Sequence, residues 1–164
     1  MNISKTMQDA FNEQIKNEYY SAYLYLSMSA YFESINLPGS AKWMRTQHDE
    51  ELTHALKMFD FVNDRNGRVM LKAIDQPTAD FASPLAAWEM VLEHERKVTV
   101  LIYKLYEQAV KESDYAAQTF LAWFINEQVE EEKNASLMLE RFKQAGTSPA
   151  TLLLFDGHFT KRGE

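Results

Sequence analysis

Cysteine is absent from the 164 residues, so a disulfide framework, thiolate-bound zinc, thiolate-held iron–sulfur clusters and a cysteine nucleophile are all excluded. Any metal must be held by Glu, Asp, His or Gln. Glycine and proline are scarce, with 5 and 4 copies, and they fall almost only between long stretches of helical spacing. Basic charge is in the minority: the net charge of −7 argues against the sequence-independent grip on phosphates that nucleic-acid binders need. Uncharged apolar runs long enough to span a bilayer are missing, and the opening Met1-Asn2-Ile3-Ser4-Lys5 lacks the apolar block of a signal peptide, so a cytoplasmic location without membrane or nucleic-acid partners is expected. No Gly-rich phosphate loop, hydrolase triad or nucleotide fingerprint occurs.

What remains is 46% hydrophobic and 13% aromatic, enough for one domain with a sizeable core. Apolar residues recur every three or four positions, which predicts an all-α chain of four long helices and one short one. The first runs from about Lys5 to Ile35. The second begins after the Leu37-Pro38-Gly39-Ser40 break and stops near Asn66-Gly67. Arg68 to Ser83 has no helical period, and Ser83-Pro84 supplies a cap with proline at the first helical position. The third helix ends near Glu112. Ser113-Asp114 caps a fourth that reaches Ala145-Gly146, and a short apolar fifth follows over about 149–158.

The first connection is short and makes helices one and two antiparallel. A helix of about 27 residues is about 40 Å long, and some 16 extended residues cover roughly 50 Å, so the second connection can cross the whole bundle. It predicts an up-down-down-up four-helix bundle over about 5–145 with a long crossover between helices two and three. The fifth segment is too apolar to be left in water and must dock, on its own bundle or on another subunit.

The inward stripes carry carboxylates. Helix one reads Met7, Phe11, Ile15, Glu18, Ala22, Tyr25, Ser29, Phe32; helix three reads Leu85, Trp88, Val91, Glu95, Val98, Ile102, Leu105, Ala109. Each has one glutamate near its middle. Helix two reads Met44, Gln47, Glu51, His54, Met58, Phe61, with Glu51 and His54 one turn apart. Helix four reads Phe120, Phe124, Glu127, Glu131, Asn134, Met138, flanked by Gln128 and Glu130. Several buried carboxylates at one level need compensating positive charge, and no lysine or arginine lies on these stripes. Glu-x-x-His from one helix plus single glutamates from others is the di-iron carboxylate pattern, although manganese or zinc also suits these donors. Glu-x-x-His alone is weak, and Glu130-Glu131-Glu132 reads more simply as a solvated face. Tyr25 fits either a core tyrosine or a redox or hydrogen-bonding partner of the metals. His48, His94 and His158 are expected at the surface, and Asp114 and Glu112 as solvated caps.

Asn17-Glu18-Tyr19-Tyr20, Glu50-Glu51-Leu52-Thr53-His54, Glu95 and Asn126-Glu127-Gln128-Val129-Glu130-Glu131-Glu132-Lys133 resemble, in order and spacing, the ferroxidase motifs of bacterial non-haem ferritins. The resemblance covers almost the whole chain. It implies iron storage, with Fe(II) oxidised to Fe(III) by dioxygen or hydrogen peroxide at a di-iron centre. Glu18, Glu51 and His54 would hold the first iron; Glu51 as a bridge, Glu95 and nearby Gln128 would serve the second; Tyr25 would lie beside them. Glu50, Glu127, Glu130 and Glu131 would form a third iron site. Bacterioferritins are the nearest alternative, but this chain has Glu130 where their second motif histidine would stand and Leu52 where their haem methionine is expected, so no haem is implied. The resemblance further implies a hollow shell of twenty-four subunits with the fifth helix near the four-fold axes. A rubrerythrin-like peroxidase would usually add ligands or a rubredoxin module, and a purely structural helical assembly would use its glutamates only for hydrogen bonds.

Overall fold

The computed structural model describes residues 1–146 and 148–159; Thr147 and residues 160–164 lie outside the described set. It contains α1 (Lys5–Ser34), α2 (Pro38–Asp64), α3 (Pro84–Lys111), α4 (Tyr115–Ala145) and α5 (Pro149–Asp156), and no strand occurs among the described residues. Among the described residues no helix is long and apolar enough to cross a membrane.

Local chemistry sets these boundaries. Ser4, Ser83 and Asp114 each accept a hydrogen bond at 3.0 Å from the backbone N–H three residues on, satisfying donors that the first helical turn leaves open. Proline stands in the first turn of α2, α3 and α5. The Leu37-Pro38-Gly39-Ser40 break is therefore tighter than expected, because Pro38 already belongs to α2. At the other end of α2 the left-handed turn falls on Asn66, φ 55°, rather than on Gly67.

Side-chain clusters give the topology. One groups the end of α1, the start of α2, the start of α3 and the end of α4; the other groups the opposite ends of the same helices. The order is up-down-down-up, with α1 against α2 and α3 against α4. The crossover over residues 65–83 is tied along α1. Gln8 accepts from the Arg68 amide at 2.9 Å, Asn12 donates to Arg68 O and accepts from the Met70 amide at 3.1 Å each, and Ser27 donates to Thr78 O at 2.6 Å. Asp114 is a cap, as expected, yet it is not solvated: Arg65 meets it with two bonds of 3.0 and 3.1 Å, fastening the end of α2 to the start of α4.

The fifth helix docks on its own bundle. The N-cap of α2, Leu37, makes no capping side-chain bond, and Asp156 at the end of α5 supplies one. Its carboxylate accepts from the Gly39 and Ser40 amides at 2.7 Å each and from Ser40 Oγ at 2.6 Å. A side chain at position 39 would put Cβ 1.9 Å from Asp156 O, so glycine is required there. Phe155 and Phe159 pack beside Phe142, while Leu153 and Leu154 stay exposed. Asp156→Ala is expected to cost about 1–3 kcal/mol, read as a lower denaturation midpoint with faster amide exchange at Gly39 and Ser40; Gly39→Ala should loosen the same joint.

Candidate metal centre

Between the two apolar clusters runs a belt of buried polar side chains at mid-height: Gln14, Glu18, Gln47, Glu51, His54, Glu95, Gln128 and Glu131. Each long helix contributes because its inward stripe exchanges an apolar residue for a polar one at this level. Ligand atoms of Glu18, Glu51 and His54 lie within 4.8 Å of one another, and all three residues are buried. No other group of three such side chains converges this closely among the described residues.

The electrostatics follow from burial. Desolvation pushes Glu18 up, opposed by the bond it accepts from Gln14 Nε2 at 2.7 Å. Glu51 is pushed well above the carboxylate range by burial and by the charges of Glu95 and Glu18, and the Glu18 and Glu51 carboxyls are hydrogen-bonded to each other. Burial, more than the neighbouring Lys57, lowers His54 to about 4, leaving a neutral imidazole with Nδ1 3.3 Å from Glu51 Oε2. Glu95 is raised by burial to about 7 although Tyr25 Oη–H and Gln128 Nε2 both donate to it. Tyr25 in turn is held protonated, well above its usual range, by burial and by Glu95. A divalent cation would supply the positive charge these groups lack, and a neutral imidazole with several carboxylates suits a borderline-to-hard metal.

On the α2–α4 side, Glu131 is buried, accepts from Gln47 Nε2 at 2.9 Å, and is raised by burial to about 8. Glu50, beside it, is half-buried and adds its charge. Glu127 Oε1 stands 3.9 Å from His54 Nε2 and is raised by burial and by Glu130, which is exposed. Glu131 within the belt and Glu50, Glu127 and Glu130 beside it therefore do not close to the spacing of the first group. The ring of Trp123 meets His54 edge-on at 5.5 Å, and Lys57 Nζ lies over the Trp123 ring, 4.5 Å from its centroid.

Several expectations are corrected. Gln128 lies inside the α4 face, which reads Leu121, Phe124, Gln128, Glu131, Ala135 and Met138, whereas Phe120, Glu127 and Asn134 sit at its edge. Glu131 is no solvated residue. His48 and His94 are half-buried between helices: His48 Nδ1–H donates to Ala22 O at 2.8 Å, and His94 Nε2 lies 2.8 Å from Ser21 Oγ with its ring against Tyr20 and Tyr25. Burial lowers His94 to about 4. His158 is exposed, as expected. The sequence reading assigns no site role to Gln14 or Thr99 and places Glu132 only on a solvated face, whereas Glu132 is half-buried and accepts from Thr99; Gln14 is one turn before Glu18 and could have been found by that spacing.

A bundle with one long crossover and a mid-height nest of carboxylates and imidazole defines the class of ferritin-like carboxylate proteins. A family model described as a ferritin-like domain matches residues 8–145, and the chain belongs to that family. It is 44% identical over 144 residues to a bacterial non-heme ferritin of Bacteroides fragilis, covering 88% of this chain and 91% of the relative. To a bacterial non-heme ferritin of Staphylococcus saprophyticus it is 35% identical over 160 residues, 98% and 96% of the two chains. Among solved structures, an open-pore ferritin from the archaeon Archaeoglobus fulgidus superposes with TM-score 0.96 at 50% identity, covering 98% of this chain and 99% of that one.

The raised carboxyls make stability depend on pH. For Glu18, Glu51, Glu95 and Glu131 the folded pKa exceeds the unfolded one, so their stabilisation is present below the ordinary carboxylate range and is lost as pH rises through about 7 for Glu95 and about 8 for Glu131. His54 and His94, lowered to about 4, act oppositely and cost stability as pH falls below 6.5. Four carboxyls outweigh two imidazoles. Metal-free protein in chelator is expected to melt at a higher temperature at pH about 6 than at pH about 8.5, and Zn(II), which binds the deprotonated ligands, should reverse that order.

Proposed function

We propose that the chain stores iron, oxidising Fe(II) to Fe(III) at a centre built from its mid-height belt and depositing the ferric product inside a shell of twenty-four copies. The observation that carries this is the convergence of Glu18, Glu51 and His54 inside a bundle of ferritin-like architecture. In this reading those three residues hold the first ferrous ion, and Glu51 as a bridge, Glu95 and Gln128 hold the second. Glu50, Glu127, Glu130 and Glu131 take a third ion on its way from the belt, their looser spacing suiting a transfer site. Iron is substrate and cargo here.

The residues' own chemistry supports each step. Metal-free, the Glu18–Glu51 pair retains a proton against burial, and ferrous binding displaces it. Two ferrous ions then give one electron each to dioxygen, which takes up two protons to become hydrogen peroxide; with peroxide as oxidant, the same two electrons and two protons give two waters. Carboxylate ligands favour the more highly charged ferric state, which lowers the barrier to losing an electron. Gln128 is neutral, so the second ion is held less tightly and moves onward more readily. Tyr25 Oη–H, donating to Glu95, orients that carboxylate toward the second ion. The exposed Leu153 and Leu154 on α5 give the shell an apolar surface to bury between subunits.

Combining Glu18→Ala, Glu51→Ala and His54→Ala is expected to slow the initial rate of oxygen-dependent ferrous oxidation by at least about tenfold; equal rates would sink the ferroxidase reading. Storage has its own test. After aerobic iron loading, wild-type protein should sediment as dense iron-filled shells, and iron that stays with small, light species would leave an oxidase that does not store.

A further inference from the structure

Gln128 is an ambiguous ligand, because an amide offers a cation a carbonyl oxygen from one side and repels it with an NH2 group from the other. Besides the Glu95 carboxylate, whose Oε2 accepts from Gln128 Nε2 at 3.3 Å, two further acceptors remove the ambiguity. Gln128 Nε2 lies 3.2 Å from the backbone carbonyl Glu95 O and 3.2 Å from Thr99 Oγ1. A carbonyl can only accept. Thr99 can donate as well as accept, but its single proton is already committed, to Glu132 Oε1 at 2.6 Å or to Glu95 O at 3.0 Å, so toward Gln128 it presents a lone pair. The charge-assisted bond to Glu132 is the shorter of the two and the stronger kind.

Resting on the reading that Gln128 serves the second iron, we infer that Thr99, held by Glu132, is the positioning residue that turns the Gln128 amide so that its oxygen, Oε1, faces the metal. Register explains why this arrangement is available. Glu95 and Thr99 are one turn apart on α3, Gln128 and Glu132 are one turn apart on α4, and the two helices are antiparallel, so the four side chains interlock across one groove. Thr99 is buried and Glu132 half-buried, so the relay runs from the belt toward solvent without opening it. Thr99 touches neither metal nor substrate. Its effect is confined to the second site, since Glu18, Glu51 and His54 do not depend on it.

The test is an anaerobic titration of assembled protein with Fe(II), followed by calorimetry, beside aerobic oxidation kinetics. Wild type should bind two ferrous ions tightly per subunit. Thr99→Val should leave one of these classes unchanged and weaken the other by roughly tenfold or more, raising the KM for Fe(II) more than it lowers kcat. Thr99→Ser, which keeps the acceptor, should restore both. Thr99→Ala removes the hydroxyl without any β-branched misfit and must match Thr99→Val, which separates amide orientation from packing. Unchanged affinities in Thr99→Val and Thr99→Ala, equal weakening of both classes, or failure of Thr99→Ser to rescue would overturn the inference. Fewer than two tight ions in the wild type would instead overturn the underlying two-site reading, and the inference with it.

Discussion

The bundle is organised around the cost of holding several carboxyls out of water at one level. Glu18, Glu51, Glu95 and Glu131 are all buried, and in each the environment favours the protonated form. Alone, such a belt would weaken any four-helix protein. It is tolerated because apolar layers above and below are well packed. At one end Phe32, Trp43, Trp88 and Phe142 fill the interior, and at the other Phe11, Met58, Ile102, Leu121 and Phe124 do. The belt's donors, Gln14, Gln47 and Gln128, share the load of hydrogen bonding without adding charge. Neutral amides are the suitable choice, since lysine or arginine here would neutralise the carboxylates and occupy the place of a metal.

The joints outside the belt keep the four helices in the register that convergence requires. Arg65 and Asp114 fix the ends of α2 and α4 to each other, the crossover is laced to α1, and Asp156 closes the start of α2. Each joint uses a side chain to satisfy backbone groups that a helix end or loop leaves open. The result is a framework in which ligands from α1, α2, α3 and α4 meet although they are far apart in sequence, which is what pre-organisation of a metal site demands.

Much of this was legible in the sequence because the helices are long and strongly periodic. All eight residues of the α1 stripe are buried, and seven of the eight on α3 are, Leu85 alone being half-buried. The up-down-down-up order followed from connection lengths. Phase was lost on α4, where Phe120-Leu121 and Phe124-Ile125 give apolar neighbours on both sides and the one apolar residue from Glu127 to Glu132, Val129, points to solvent. Helix-to-helix register was also beyond reach: the lodging of His94 against α1, the pairing of Thr99 with Glu132 and the reach of Asp156 to Ser40 each depend on how two separately predicted helices slide past one another. Roles at the metal centre came from resemblance, while the need for a cation came from the carboxylates themselves.

The three tryptophans are divided unevenly by this layout. Trp43 and Trp88 meet at 4.7 Å inside the aromatic end of the bundle, whereas Trp123 stands against His54. Ultraviolet emission from the chain is thereby split into two reporters. The buried pair senses whether the aromatic end stays packed, and the indole beside the imidazole is placed to respond to an ion that His54 would hold. A single optical signal, resolved with Trp123→Phe, can distinguish a protein that has lost its fold from one that has only gained its cargo.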